Sequence, residues 1–182
     1  MRKFNAILSM SILALFLIHA IAGSFQLAGW MAGGSGIMQA VAWIMLILIL
    51  IHVGIGCKLT VDTLRIQKKA GVSYPKENKL FWLRRISGFA IMIFILFHVL
   101  LFLGKNQDGV YRLSYFGTLQ LLSQILLVIS IAVHVLTNIR PLMIAVGTKS
   151  YAKIMIDILF ILSVILILSG IGFVIYYLRW NF

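Results

Sequence analysis

Five long, almost uninterrupted apolar segments follow one another along the chain, and charged or turn-forming residues occur mainly between them. A transmembrane helix needs about 20 mostly apolar residues, and each segment reaches that length. Turn signals lie in the connections, where residues 33–36 (Gly-Gly-Ser-Gly) end the first hairpin and residues 73–75 (Ser-Tyr-Pro) interrupt a basic loop. We predict transmembrane helices near residues 4–29, 37–59, 80–104, 116–139 and 151–178, all in one domain that covers residues 1–182.

The composition excludes a water-soluble domain. Hydrophobic residues make up 62% of the chain, charged residues make up 11%, and the mean hydropathy is +1.08. The predicted fold is an all-α integral membrane bundle, in which four up-down helices enclose the candidate site and a fifth helix is peripheral. Arg2 and Lys3 before an apolar run that ends in small residues also resemble a secretory signal. Because cleavage there would remove His19, we expect the first helix to be retained.

Basic residues are distributed unevenly between the two sides of the predicted bundle. One side has thirteen of them: Arg2, Lys3, Lys58, Arg65, Lys68, Lys69, Lys76, Lys79, Arg84, Arg85, Arg140, Lys149 and Lys153. The other side has three: Lys105, Arg112 and Arg179. The positive-inside rule therefore predicts a cytoplasmic N-terminus. The net charge of +12 then needs no nucleic-acid partner, since topology and contact with anionic lipid explain it, and the same face can also dock a soluble protein.

The four histidines each lie inside a different apolar segment, although ionisable side chains are costly in a membrane. At a rise of about 1.5 Å per residue, His19 and His98 lie roughly 22 and 27 Å from the cytoplasmic ends of their helices. By the same rise, His52 and His134 lie only about 10 Å from theirs. In an up-down arrangement, helices one and three are diagonal neighbours, as are helices two and four. The pattern predicts two bis-histidine haem b sites at two membrane levels.

Other roles are open to these histidines and to the residues near them. Intramembrane histidine also serves as a hydrogen-bonding contact between helices or as part of a metal or proton transporter. A metal transporter would usually add acidic or thiol ligands at the same level. Gly23, Gly54 and Gly56 lie near the histidines, where small residues admit a flat macrocycle or simply pack helices. The single cysteine, Cys57, excludes an internal disulfide and a cysteine-ligated iron–sulfur cluster within this chain.

Beyond the histidines, two short sequences carry a family resemblance. They are Arg84-Arg85-Ile86-Ser87-Gly88, with Ser87 eleven residues before His98, and His134-Val135-Leu136-Thr137-Asn138-Ile139-Arg140. With four histidines on four helices, they make the chain similar to the cytochrome b membrane anchor of succinate dehydrogenases and fumarate reductases. The similarity is to the single-subunit, five-helix, dihaem type, and it extends over nearly the whole chain.

The resemblance implies roles for individual residues. It makes His52 and His134 the ligands of the haem nearer the cytoplasm, and His19 and His98 those of the outer haem. Arg84, Arg85, Ser87 and Arg140 would then hold haem propionates, although arginines at these places also serve as interfacial anchors. Trp82 is either a propionate donor or an aromatic-belt residue.

The resemblance also implies a quinone site, usually for menaquinone, near the outer haem. A quinone needs an apolar slot and a few polar groups. The candidates by depth are Gln26, Trp30, Gln39, Lys105, Asn106, Asp108 and Tyr111. Some dihaem relatives use glutamates within the membrane for proton transfer, but no predicted span here contains glutamate, and Ala132 stands two residues before His134. A glutamate-dependent proton path is therefore not expected.

The chain lacks a dinucleotide-binding G-x-G-x-x-G fingerprint, so we expect its partners to supply the other redox groups. The resemblance implies a flavoprotein and an iron–sulfur subunit on the cytoplasmic face of a bacterial-type inner membrane. The chain would be the electron-transfer and quinone-reactive subunit of that oxidoreductase, with the dicarboxylate site on another subunit. Alternatives are the cytochrome b subunit of a hydrogenase or formate dehydrogenase, a b561-like carrier, and a histidine-based metal or proton transporter.

Overall fold

The computed structural model describes residues 2–71, 78–103, 105–107, 110–112, 115–147 and 151–182. Within these ranges the chain forms five helices, each long and apolar enough to cross a membrane. They are α1 (Arg2–Ala28), α2 (Gly36–Lys69), α3 (Lys79–Phe102), α4 (Thr118–Val146) and α5 (Tyr151–Asn181). Large apolar side chains such as Phe89, Leu119 and Phe160 are exposed on the outside of the bundle, as expected for a surface that faces lipid. The protein is a multi-pass membrane helical bundle.

Two helices extend beyond the apolar segments from which they were predicted. Helix α2 continues to Lys69 instead of ending near residue 59, and α4 continues through Pro141 to Val146 instead of ending near residue 139. Hydropathy marks where a segment leaves the apolar part of the membrane, which is not necessarily where its helix ends. The first part of the predicted basic loop is therefore helical.

Local chemistry explains where several helices begin and end. Asn78 caps α3, because its side-chain oxygen accepts a hydrogen bond of 3.0 Å from the backbone N–H of Phe81. Gly147 ends α4 in the left-handed conformation with φ of 86°, and its N–H donates to the Ile144 carbonyl. Gly29 follows α1 with φ of 82°, a left-handed conformation that favours glycine, and the guanidinium of Arg179 lies against it.

A short hairpin between α3 and α4 adds a feature that the all-α prediction did not include. Strands β1 (Lys105–Gln107) and β2 (Val110–Arg112) are antiparallel, with Asn106 opposite Tyr111. Three-residue strands are too short to leave a recognisable alternating pattern in the sequence.

The helices pack in an order that leaves one side of the bundle open. Helix α1 packs against α2 and α4, and α3 packs against α4, whereas no comparable set of backbone contacts joins α2 to α3 in the described ranges. Ring contacts of His19 with His98 and of His52 with His134 show that α1 faces α3 across an interior space and that α2 faces α4.

Helix α5 is not peripheral, and the prediction is corrected on this point. It packs against both α1 and α4, and Leu162, Leu166 and Phe173 are among the most buried side chains of the protein. Gly172 permits this contact, since a Cβ atom added there would lie 3.5 Å from the Ser24 Cα atom. The uniformly apolar sequence of α5 gave no indication of which face is buried.

Candidate functional site

A large cavity lies in the interior of the bundle, between the α1–α2 pair and the α3–α4 pair. Its volume is about 1590 Å³, and all four histidines line it. Pockets for a single drug-sized ligand usually measure about 300–1,000 Å³. The lining is mostly apolar, so the cavity suits one or more large apolar groups that carry a few polar substituents.

The histidines meet in two pairs at two levels of this cavity. The rings of His52 and His134 have centroids 6.4 Å apart and an interplanar angle of 87°. We call them the arginine-side pair, because Arg84 lies beside them. The rings of His19 and His98 have centroids 6.0 Å apart and an interplanar angle of 76°. We call them the hairpin-side pair, because α3 leads from His98 to the β1–β2 hairpin. These are the pairs that depth predicted from the sequence.

The ring separations fit one metal ion between each two imidazoles. A metal–imidazole bond is about 2.0–2.1 Å long, and the ring centre lies about 1 Å behind the bonded nitrogen. Two imidazoles on opposite sides of one metal therefore have ring centres roughly 6 Å apart. Both ring separations agree with this value, so each pair is compatible with one metal ion between its imidazoles.

Helix α3 holds His134 in place through three consecutive contacts. The His134 Nδ1–H donates to the Arg84 carbonyl oxygen at 3.1 Å, and the Ser87 hydroxyl oxygen lies 3.3 Å from the same nitrogen. A Cβ atom on Gly88 would lie 3.1 Å from His134 Cε1, so the ring rests directly against that glycine. A bonded Nδ1 leaves Nε2 as the nitrogen available to a metal, as in most protein metal sites.

His52 is oriented in a similar way by α1. The Ser9 hydroxyl donates to the Asn5 carbonyl at 2.8 Å, and its oxygen lies 3.3 Å from His52 Nδ1. Because the hydroxyl hydrogen is already used, the Ser9 oxygen is placed to accept from His52 Nδ1–H. Neighbouring helices thus fix both rings of the arginine-side pair through contacts with their Nδ1 atoms.

The hairpin-side pair has a different surrounding. His98 Nδ1 lies 2.7 Å from Gln124 Oε1 of α4, and Gln124 is fully buried. The His98 ring also packs against Phe102 at 5.0 Å and Phe173 at 6.2 Å between centroids. Helices α3, α4 and α5 therefore all contribute to the position of His98.

The predicted propionate-binding residues occupy different places. Arg84 and Arg85 line the cavity. The Arg84 Nε–H donates to the Thr137 carbonyl at 3.0 Å. The Arg85 guanidinium lies 5.0 Å from the Phe81 ring centroid. Ser87 is buried and bonded as described above. Arg140 is exposed and is not part of the cavity lining. The structure thus brings two of the three arginines to the cavity.

Trp82 carries a buried donor with no acceptor. Its Nε1 is shielded from solvent and has no hydrogen-bond partner among the described residues. Buried donors are rarely left unpaired, and an acceptor supplied by a bound group would satisfy this one. The residue is not among those that line the cavity, however, so the structure does not bring Trp82 to the predicted propionate site.

Two of the three predicted glycines line the cavity, and the third does not. Gly23 and Gly56 are lining residues, whereas Gly54 is not. A Cβ atom added at any of the three would meet nothing within 4 Å. Helix packing thus does not require glycine at these positions, which leaves the open space at Gly23 and Gly56 available to a bound group.

Only some of the predicted quinone-site residues reach the cavity. Gln26 and Gln39 line it, and the Gln26 side-chain amide donates to the Ala32 carbonyl at 3.3 Å. Trp30 is 76% exposed and packs on Phe25 outside the lining. The candidates Lys105, Asn106 and Tyr111 belong to the hairpin strands. Asp108 lies outside the described residues.

Sequence reasoning missed Gln124 and Ser9. A side-chain amide in an otherwise apolar stretch of a membrane helix was a usable signal for Gln124, because such a group needs a buried partner. Ser9 gave no such signal, since serine is a common residue in membrane helices and can bond the preceding turn of its own helix.

The site consists of pairs rather than a compact cluster. Among the described residues, no group of three or more histidine, cysteine, aspartate or glutamate side chains is placed to hold a metal ion. Comparisons of the chain with protein-family models, with curated proteins and with solved structures find no match.

Proposed function

We propose that this chain is a dihaem cytochrome b, the membrane anchor of a succinate:quinone oxidoreductase or quinol:fumarate reductase. The observation that carries the proposal is the presence of two facing histidine pairs, with ring centroids 6.0 and 6.4 Å apart, at two levels of one cavity. Each pair would hold one haem b. Two imidazole ligands leave the iron without an open position, so a bound haem supplies one-electron transfer rather than oxygen chemistry.

The chain's own residues position these groups. Ser9 and the Arg84 carbonyl orient the arginine-side imidazoles, and the Gln124 amide orients His98. Arg84 and Arg85 provide positive charge close to the arginine-side pair, where haem propionates would need it. The mostly apolar lining suits the apolar faces of these groups.

The distribution of charge supports an orientation of the bundle and a side on which soluble partners would dock. The thirteen basic residues on one side favour a cytoplasmic N-terminus and a docking face for a flavoprotein and an iron–sulfur subunit. A membrane quinone, menaquinone by family resemblance, would react near the hairpin-side pair, where Gln26 and Gln39 bring side-chain amides to the cavity. The complex would lie in a bacterial-type inner membrane.

Haem content is the first test of the proposal. A reduced-minus-oxidised optical spectrum with pyridine haemochrome quantification is expected to show two haems b per chain in the wild-type protein. His19→Ala and His52→Ala should each lose one haem, and the two lost haems should differ in potential. Haem-free wild-type protein that is folded and was produced with sufficient haem would contradict the proposal and favour a histidine-based transporter.

The choice of electron donor tests the complex. In native membranes, succinate should reduce the haems through the docked subunits, and a competitive dicarboxylate inhibitor should block this reduction. Hydrogen or formate should leave the haems oxidised. Reduction by hydrogen or formate but not by succinate would assign the chain to another membrane oxidoreductase and would leave the two haem sites intact.

A further inference from the structure

Gln124 is a fully buried polar side chain beside the hairpin-side pair, about two turns from the N-terminal end of α4. Its Oε1 atom lies 2.7 Å from His98 Nδ1 and its Nε2 lies 3.0 Å from the Ser123 hydroxyl oxygen. A buried amide in an apolar bundle is costly unless its hydrogen bonds are satisfied, so these two contacts account for its position.

The direction of each hydrogen bond follows from the chain of partners. The Ser123 hydroxyl donates to the Gln120 carbonyl at 2.7 Å, so its oxygen is left to accept. The Gln124 Nε2–H donates to that oxygen, which turns Oε1 of the amide toward His98. A carbonyl oxygen only accepts, so the proton must be on His98 Nδ1.

We propose that Gln124 is a positioning residue that fixes His98 with Nδ1 protonated and Nε2 free to bind iron, and that it lowers the reduction potential of the hairpin-side haem. This inference rests on the proposed function. An acceptor on the Nδ1 proton makes the imidazole a stronger donor to its metal. Stronger donation stabilises the oxidised iron, and hydrogen bonding around the ligands is one of the means by which proteins set haem potentials.

The arginine-side pair provides the contrast within the same molecule. There the acceptor for His134 is the Arg84 carbonyl, a backbone group that no substitution removes. At His98 the acceptor is a side chain. A substitution can therefore remove the acceptor on His98, whereas the acceptor on His134 belongs to the backbone of α3.

The test is a redox titration of purified protein in which the two haem components are assigned from the His19→Ala and His52→Ala variants. Gln124→Leu removes the acceptor and should raise the hairpin-side potential, changing its redox equilibrium about tenfold, which is about 59 mV for a one-electron couple. Gln124→Glu keeps an acceptor oxygen and should give a hairpin-side potential equal to or below that of the wild type. The arginine-side potential should not change in either variant.

Two further measurements separate positioning from packing. Ser123→Ala removes the group that orients the amide and should shift the hairpin-side potential in the same direction as Gln124→Leu, but by less. Met143→Ala removes a buried apolar side chain from the same helix, outside the cavity lining, and it should not shift the hairpin-side haem selectively. Loss of the hairpin-side haem alone from folded Gln124→Leu, with retention in Gln124→Glu, would also support the inference.

Failure of this inference and failure of the proposed function would give different results. Unchanged potentials in Gln124→Leu, in protein that holds both haems, would overturn the inference and leave the proposed function standing. Equal shifts in Gln124→Leu and Gln124→Glu would also overturn it, since both would then act through packing. Absence of haem from folded wild-type protein would overturn the inference together with the proposed function.

Discussion

The arginine-side and hairpin-side pairs have nearly the same ring separation, yet different kinds of groups hold them. His134 is fixed by a backbone carbonyl, a serine and a glycine within one turn of α3. His98 is fixed by one buried amide and two aromatic rings that come from three helices. His134 is thus positioned by a short local sequence, whereas the position of His98 depends on contacts from three helices.

This difference has consequences for the properties of the two sites. A histidine held by a backbone carbonyl keeps its acceptor when side chains are substituted. It tolerates no added volume beside its ring, because the neighbouring backbone cannot move away. A site held by side chains accepts changes in its partners and responds to each of them. Substitutions at the arginine-side pair should therefore act mainly on occupancy, and those at the hairpin-side pair mainly on potential.

Adding volume at Gly88 should have the largest effect. Gly88→Leu forces side-chain atoms into the position of the His134 ring, since even its Cβ atom would lie 3.1 Å from Cε1. We expect loss of the arginine-side haem and retention of the hairpin-side haem in a quantitative haemochrome assay. Gly88→Ala should show an intermediate occupancy. Equal loss of both haems from folded Gly88→Leu would contradict the separation into two independent sites.

The next largest effect is expected from filling the cavity where the protein itself leaves space. Gly56 lines the cavity and Gly54 does not, and neither has an atom within 4 Å of an added Cβ. Gly56→Leu should reduce haem content, because its side chain occupies space that a bound haem needs. Gly54→Leu is the matched control and should keep both haems. Full haem content in both variants would show that no haem occupies the space beside Gly56.

Removing a positive charge beside the arginine-side pair should have a smaller effect, which is a shift in reduction potential. Arg85 lines the cavity, and a positive charge there destabilises oxidised, more positive iron. Arg85→Gln should lower the arginine-side potential by roughly 30–60 mV, a threefold to tenfold change in redox equilibrium. Arg140→Gln removes an exposed arginine outside the cavity lining and should leave both potentials unchanged in the same titration. A larger shift for Arg140→Gln than for Arg85→Gln would reverse the roles given to these two residues.

The smallest effect is expected for Ser87→Ala. His134 keeps the Arg84 carbonyl as acceptor when the serine hydroxyl at 3.3 Å is removed. The arginine-side potential should therefore move by less than about 30 mV, well below the shift for Gln124→Leu. The comparison of these two variants in one redox titration measures how much more the hairpin-side pair depends on a side-chain partner. A larger shift for Ser87→Ala would contradict that dependence.

Features that depend on position along a single helix could be predicted from the sequence, whereas contacts between helices could not. The five membrane helices and the pairing of His19 with His98 and of His52 with His134 could be derived from hydropathy and depth, because both depend on position along single helices. The burial of α5 could not, since its sequence is apolar on every face. The role of Gln124 depends on a contact between residues 26 positions apart, which no local pattern encodes.

The measurement that tests the two-pair arrangement most directly is the haem content of double variants. His19→Ala combined with His98→Ala removes both ligands of one pair, and one haem per chain should remain. His19→Ala combined with His52→Ala removes one ligand from each pair, and no haem should remain. Equal haem content in the two double variants, in protein shown to be folded, would contradict the assignment of one haem to each histidine pair.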